Sequence, residues 1–126
     1  MKLNAVGVAS SNLTKTVEFY KLLGFDFPSL KGDDQYVESN DKKGSIKLMI
    51  DSFEMVKSIL GYLPKPSNHS NFAILYDNPT EIDEIITKLS QKDFTIIKKR
   101  WNAFWGQRYA IVQDPDGYKV DLYAYL

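Results

Sequence analysis

Trp105-Gly106-Gln107-Arg108-Tyr109-Ala110-Ile111-Val112-Gln113-Asp114-Pro115-Asp116-Gly117-Tyr118-Lys119-Val120-Asp121-Leu122-Tyr123 carries two apolar-rich runs on either side of Asp114-Pro115-Asp116-Gly117. Proline presets φ for the second position of a turn, aspartate accepts from nearby backbone amides, and glycine takes the positive φ that closes it. The stretch therefore reads as a β-hairpin. Beyond the turn the residues alternate, with Val120, Leu122, Ala124 and Leu126 on one face and Lys119, Asp121, Tyr123 and Tyr125 on the other. The first face suits a core. The second sets a carboxylate between a cation and a phenol.

Upstream of this hairpin, Phe94 to Trp105 reads as a further strand. Asn71 to Asp77 reads as another, and Asn78-Pro79 then opens a helix with Glu81 in its first turn. Ile82, Ile85, Ile86 and Leu89 supply that helix's apolar stripe. The same order of elements starts the chain. Lys2 to Ser10 reads as a strand, Ser11-Asn12 as an N-cap, and Leu13, Val17, Tyr20 and Leu23 fall at helical spacing before a stop at Gly24. Phe25 to Leu30, Gln35 to Asn40 and Ser45 to Asp51 read as three short strands, separated by Gly32-Asp33-Asp34 and Asn40-Asp41-Lys42-Lys43-Gly44. Between the two halves, Phe53, Met55, Val56, Ile59 and Leu60 suit one or two helical turns, which Gly61, Pro64 and Pro66 break. This stretch reads as a connection, either a packed crossover loop or a lid.

The expected fold class is α+β. One domain spans 1–126, with unit one at about 1–51, a linker at 52–70 and unit two at about 71–126. Each unit is β-α-β-β-β. A helix on one face of each four-stranded sheet leaves the other face free to line a cleft.

The 126 residues suit a single domain, and 44% hydrophobic with 25% charged residues is an ordinary globular balance. A formal net charge of zero gives no bulk attraction to nucleic acid or anionic lipid. Lys98-Lys99-Arg100 reads as a solvated strand edge, so no nucleic-acid partner is expected. There is no cysteine, which excludes disulfides, thiol catalysis and thiolate zinc sites. No apolar run is long enough to span a membrane, and Met1 leads directly into a strand pattern. A cytoplasmic protein without membrane association is the expectation.

Ala110-Ile111-Val112-Gln113-Asp114-Pro115-Asp116-Gly117-Tyr118-Lys119-Val120-Asp121-Leu122 resembles the terminal hairpin of glyoxalase I, and Trp105-Gly106 ahead of it resembles bleomycin-resistance proteins. Leu13-Thr14-Lys15-Thr16-Val17-Glu18-Phe19-Tyr20-Lys21-Leu22-Leu23-Gly24-Phe25 is similar to the first-helix signature of the same group, ending in Phe-Tyr and Leu-Gly-Phe. With the doubled topology, the resemblance to the glyoxalase/bleomycin resistance protein/extradiol dioxygenase (vicinal-oxygen-chelate) superfamily covers most of the chain. It implies two βαβββ units whose curved mixed sheets surround a central cleft. It also implies a homodimer, with or without exchange of units between chains.

The metal-dependent members hold a divalent ion with His, Gln and Glu side chains from the first and last strand of each unit. Carried over by resemblance, those positions fall on Ala5, Lys47, Asn71 and Asp121. A methyl group cannot coordinate, an ammonium repels the ion, and only Asp121 is an ordinary ligand. The expected metal is therefore none. An ammonium at Lys47 facing Asp121 is an alternative way to neutralise that carboxylate. His69, the single histidine, lies two residues before the Asn71 position and reads as a surface loop residue rather than a ligand.

The candidate ligand-binding residues are Lys47, Met49, Asn71, Trp101, Trp105, Arg108, Tyr109, Asp121 and Tyr123. Aromatic walls with a few polar groups suit flat or cationic small molecules, and Arg108 is a candidate for orienting a ligand anion. The favoured function is metal-free binding of a drug or metabolite. The alternative is a lyase, isomerase or dioxygenase, with Asp121, Lys47 and Tyr123 as catalytic candidates. A ligand-sensing module without turnover is a third reading.

Overall fold

A computed structural model describes residues 1–40, 42–66 and 72–126. The turn residue Asp41, His69 and the candidate Asn71 lie outside the described residues. The chain forms two compact units, Met1–Lys65 and Pro66–Leu126.

In the first unit, β1 (Ala5–Ser10) leads to α1 (Leu13–Leu22), then β2 (Tyr36–Glu38), β3 (Lys47–Ser52) and α2 (Phe53–Leu60). The sheet order is β1-β3-β2, with β1 parallel and β2 antiparallel to β3. Asn12 caps α1 by accepting from the Lys15 amide at 3.1 Å. Val17, Phe19 and Tyr20 of α1 are buried, as are Leu48 and Ile50 of the central strand. Alternation along β3 leaves Lys47, Met49 and Asp51 on the opposite face, half-buried.

Phe25 to Leu30, expected as a strand, is extended chain outside the sheet. Pro28 has no amide to donate to a ladder. Phe27 is buried in the core and Phe25 packs edge-on against Tyr20 at 5.9 Å, so consecutive odd positions serve helix packing. The Asp26 carbonyl accepts from the Asn40 amide at 2.8 Å, and no ladder extends from that bond. Among the described residues the first sheet thus has three strands rather than four. In the stretch expected as a linker, Phe53–Leu60 forms α2, capped by Ser52 (Oγ from Met55 N, 3.1 Å) and ended by Gly61 at φ 81°. This helix packs on β3 and β1 and belongs to the first unit.

The second unit holds β4 (Phe72–Leu75), α3 (Pro79–Gln91), β5 (Thr95–Ala103), β6 (Gln107–Gln113) and β7 (Lys119–Tyr125). Its sheet order is β4-β7-β6-β5, with β4 parallel to β7 and the other pairs antiparallel. Asn78 and Pro79 open α3 as expected, with the Asn78 side chain accepting from Glu81 N at 3.1 Å. Ile82, Ile85, Ile86 and Leu89 bury against Ala110, Val112, Val120, Leu122 and Ala124. Burial of such a side chain stabilises by roughly 1.5–3 kcal/mol. Leu126, expected to continue the inward face, lies past the end of β7 and is 64% exposed.

The hairpin between β6 and β7 is built on Asp114, which is 1% exposed. Its Oδ1 accepts from the amides of Asp116 (2.9 Å) and Tyr118 (3.0 Å), while Gly117 takes φ 100°. That turn fixes the β6–β7 register, and so determines which β7 residues face away from α3. Among the described residues no helix is long and apolar enough to cross a membrane.

Candidate functional site

The face of the second sheet turned away from α3 carries the groups that chemistry can use. Antiparallel pairing sets Tyr109 directly opposite Tyr123 and Ile111 opposite Asp121. The Tyr109 hydroxyl donates to Asp121 Oδ2 at 2.5 Å, and its ring lies near-parallel to that of Tyr123, with centroids 5.9 Å apart. Burial, followed by the hydrogen bond and charge of Asp121, pushes the Tyr109 hydroxyl well above the usual phenol range. It therefore stays protonated as a donor at neutral pH. The other carboxylate oxygen, Asp121 Oδ1, is buried and accepts no hydrogen bond from any described residue. On the neighbouring parallel strand, Asp121 is partnered by Ala73, whose methyl offers it nothing.

Trp101 and Trp105 join this face from β5 and from the turn that follows it. Trp101 lies 5.2 Å from Tyr109, Trp105 lies 5.7 Å from Tyr109, and the two indoles meet edge-on at 6.3 Å. Trp105 donates through Nε1 to Gln107 Oε1 at 2.8 Å and is 50% exposed, while Phe104 beside it is 98% exposed. Lys98 places its ammonium 4.0 Å from the Trp101 ring centroid. Two register shifts in β5, between Ile96 and Lys98 and between Lys98 and Trp101, bring those two residues to one face although they are three apart in sequence.

Four of the residues expected at a site are thus together: Trp101, Trp105, Tyr109 and Tyr123, around Asp121. Arg108 is not with them. It alternates to the helix side of β6, where its Nε and Nη2 contact Asp83 Oδ1 of α3 at 3.0 and 2.8 Å and its Nη1 donates to Asn102. It ties helix to sheet instead of facing a ligand. In the first unit, Lys47 and Met49 share the face turned away from the core, and Lys47 Nζ is 3.4 Å from Glu38 Oε1. Lys47 has its counter-charge within its own sheet, as Asp121 has its proton donor within its own. A cavity of 420 Å³ beside β2 includes Lys47, Glu38, Tyr36 and Asp34 in its lining. On the same face, burial raises the Asp51 carboxyl above its usual range. The sequence does not single out Glu38, and it reads Lys98 only as part of a solvated strand edge. Glu38 becomes visible only once strand register is known.

The positions that resemblance assigns to a metal can be tested for fit. Ala5 and Lys47 are direct partners on the parallel strands β1 and β3, and Ala73 and Asp121 are direct partners on β4 and β7. Ala5, Lys47 and Asp121 are three of the four assigned positions, and the fourth, Asn71, lies outside the described residues. A methyl group and an ammonium have no lone pair to offer, so Ala5 and Lys47 do not fit a divalent ion. Among the described residues there is no cluster of three His, Cys, Asp or Glu side chains arranged for a metal.

No curated protein is significantly similar to this chain. Solved structures share its fold. A glyoxalase/bleomycin resistance protein/dioxygenase family enzyme from Burkholderia phytofirmans PsJN superposes with a TM-score of 0.81 at 15% identity, covering 100% of both chains. A glyoxalase/bleomycin resistance protein/dioxygenase from Nocardioides gives 0.72 at 18% identity, over 100% of this chain and 84% of the other. A lactoylglutathione lyase from Agrobacterium tumefaciens gives 0.69 at 16% identity, over 98% and 92%. The model of one family matches residues 2–122, nearly the whole length, and by that match the chain belongs to the Glyoxalase/Bleomycin resistance protein/Dioxygenase superfamily.

Proposed function

We propose that this protein binds a small molecule without a metal, using the aromatic face of its second sheet, and acts by sequestering a drug or metabolite. The observation that carries the reading is Asp121, a carboxylate with one oxygen engaged by Tyr109 and the other buried and unengaged, beside the Tyr109–Tyr123 ring pair, with Trp101 packed against Tyr109. Small-molecule sites combine such apolar walls with a few fixed polar groups. Alanine at position 5 and lysine at position 47 argue against the superfamily's chelating chemistry here. The cytoplasm is the proposed location, and the superfamily resemblance supports a homodimer.

Elemental analysis of protein purified without chelator tests the metal-free part, with a divalent ion expected at well below one per chain. A thermal-shift screen of antibiotics, thiol conjugates and aromatic metabolites tests the binding part. A ligand at a hundred times its Kd stabilises by about 2.7 kcal/mol. A stoichiometric metal that chelator removal takes away together with ligand binding rejects the reading. One feature favours a second reading, an enzyme of lyase, isomerase or dioxygenase type. The Tyr109–Asp121 hydrogen bond sets a proton donor against a carboxylate within the site, and a fold neighbour is a lactoylglutathione lyase. Turnover by metal-free protein that is lost in Asp121→Asn favours that reading over sequestration.

A further inference from the structure

We infer that Asp121 selects for a flat organic cation carrying an N–H donor, such as an amidinium or a protonated arylamine. This rests on the small-molecule reading above and names its ligand class. Asp121 Oδ1 is the buried side-chain polar atom that lacks a partner among the described residues. A carboxylate oxygen removed from water and given no donor is unfavourable, whereas a charged N–H donor satisfies both the hydrogen bond and the charge. No described residue supplies that donor. Tyr109 is spent on Oδ2, and the strand neighbour is Ala73. Asp121 enters no ion pair among the described residues, although Lys98 and Lys119 are carried by strands of the same sheet.

The surrounding rings favour the same class. Tyr109 and Tyr123 form a stacked pair directly beside the carboxylate. Trp101 already holds a cation over its face, the Lys98 ammonium at 4.0 Å. A flat body lies on such rings through dispersion, and its positive edge reaches Oδ1. An anion of the same shape meets the Asp121 charge instead.

The chain's two tryptophans, Trp101 and Trp105, both sit in this cluster, so intrinsic fluorescence reports on it directly. Four probes of similar size separate the contributions at neutral pH: benzamidinium, N-methylpyridinium, benzamide and benzoate. Benzamidinium should bind tightest, with N-methylpyridinium weaker because it has charge but no N–H. Benzamide should bind weaker than benzamidinium by roughly tenfold or more, the range of a hydrogen bond to a charged group, and benzoate weakest. Asp121→Asn should reduce benzamidinium to the affinity of benzamide and leave benzamide unchanged. Tyr109→Phe, which keeps the carboxylate, should retain the preference for the cation. Equal binding of benzamidinium and benzamide by the unaltered protein overturns the inference, whatever the variants do, while leaving small-molecule binding intact. A preference that survives in Asp121→Asn also overturns it. Failure of all four probes rejects this ligand class, and the separate thermal-shift screen then decides the broader reading.

Discussion

Replacing Asp114 with alanine should be among the most damaging single changes in the second unit. The side chain is 1% exposed, and its Oδ1 holds the amides of Asp116 at 2.9 Å and Tyr118 at 3.0 Å. Alanine removes both acceptor contacts and leaves two backbone donors to find water in a half-buried turn. Hydrogen bonds to a charged group contribute about 1.5–3 kcal/mol each, and partial access of water to the freed amides favours the low end, so the loss should be about 3 kcal/mol. That is a large share of a stability on the order of 5–15 kcal/mol. For a chain of this length it corresponds to a fall in Tm of about 10 °C. Urea unfolding followed by tryptophan fluorescence reads the change directly, since both indoles belong to the same unit. Asp114→Asn keeps one acceptor oxygen and loses only the charge, so it should cost about half as much. A loss below about 0.5 kcal/mol for the alanine variant would refute the argument, because it would mean that the Pro-Asp-Gly backbone closes the turn without its carboxylate.

Two other perturbations follow from the geometry. Arg108→Ala and Asp83→Ala should each destabilise by about 1 kcal/mol, and a double-mutant cycle should return a coupling of about 0.5–1 kcal/mol, as befits a partly exposed ion pair; ligand binding should be unaffected by either. Burial, aided by the Glu81 charge at Tyr76 and by Asp121 at Tyr109, raises both hydroxyls above the ordinary phenol value of 10.0. The neutral form is therefore favoured more in the folded than in the unfolded chain, so this stability is complete below pH 10 and is lost as pH rises beyond it. Ultraviolet titration should show two tyrosines ionising late, and Tyr76→Phe should flatten the alkaline fall in Tm.

What the sequence reveals and what it hides divide along a physical line. The hairpin, the Asn12 and Asn78-Pro79 caps and the Ile82–Leu89 stripe rest on interactions within a few residues, and all three are present in the structure. Phe25–Leu30 has a strand's composition, but Phe25 and Phe27 gain more from packing on the first helix than Pro28 allows in a ladder. Arg108 was within reach of a stricter reading. It shares parity with Ala110 and Val112 on the core side, where Asp83 on α3 awaits it. Lys98 was not within reach, since alternation puts it opposite Trp101 and only the two irregularities in β5 reverse that.

The two units, compared as repeats, sharpen the case for a binding role. Corresponding parallel-strand pairs are Ala5–Lys47 in one and Ala73–Asp121 in the other. Chelation needs several lone pairs directed at one point, and neither the Ala5 methyl nor the Lys47 ammonium offers one. The charges that remain are treated differently. Lys47 has Glu38 at 3.4 Å and lines a cavity of its own unit, so its charge is compensated on the spot. Among the described residues Asp121 receives only a neutral phenol, on one oxygen. A neutral donor moderates a carboxylate without cancelling it, which leaves the second unit with an uncompensated negative charge against an aromatic wall. Such a residue persists at a cost to stability unless something binds there. On this argument Asp121→Asn should leave the unliganded protein as stable as before or more so, while Glu38→Gln, which strips Lys47 of its counter-charge, should not. If Asp121→Asn proves the more destabilising of the two, Asp121 is a structural acceptor and the binding role loses its main support.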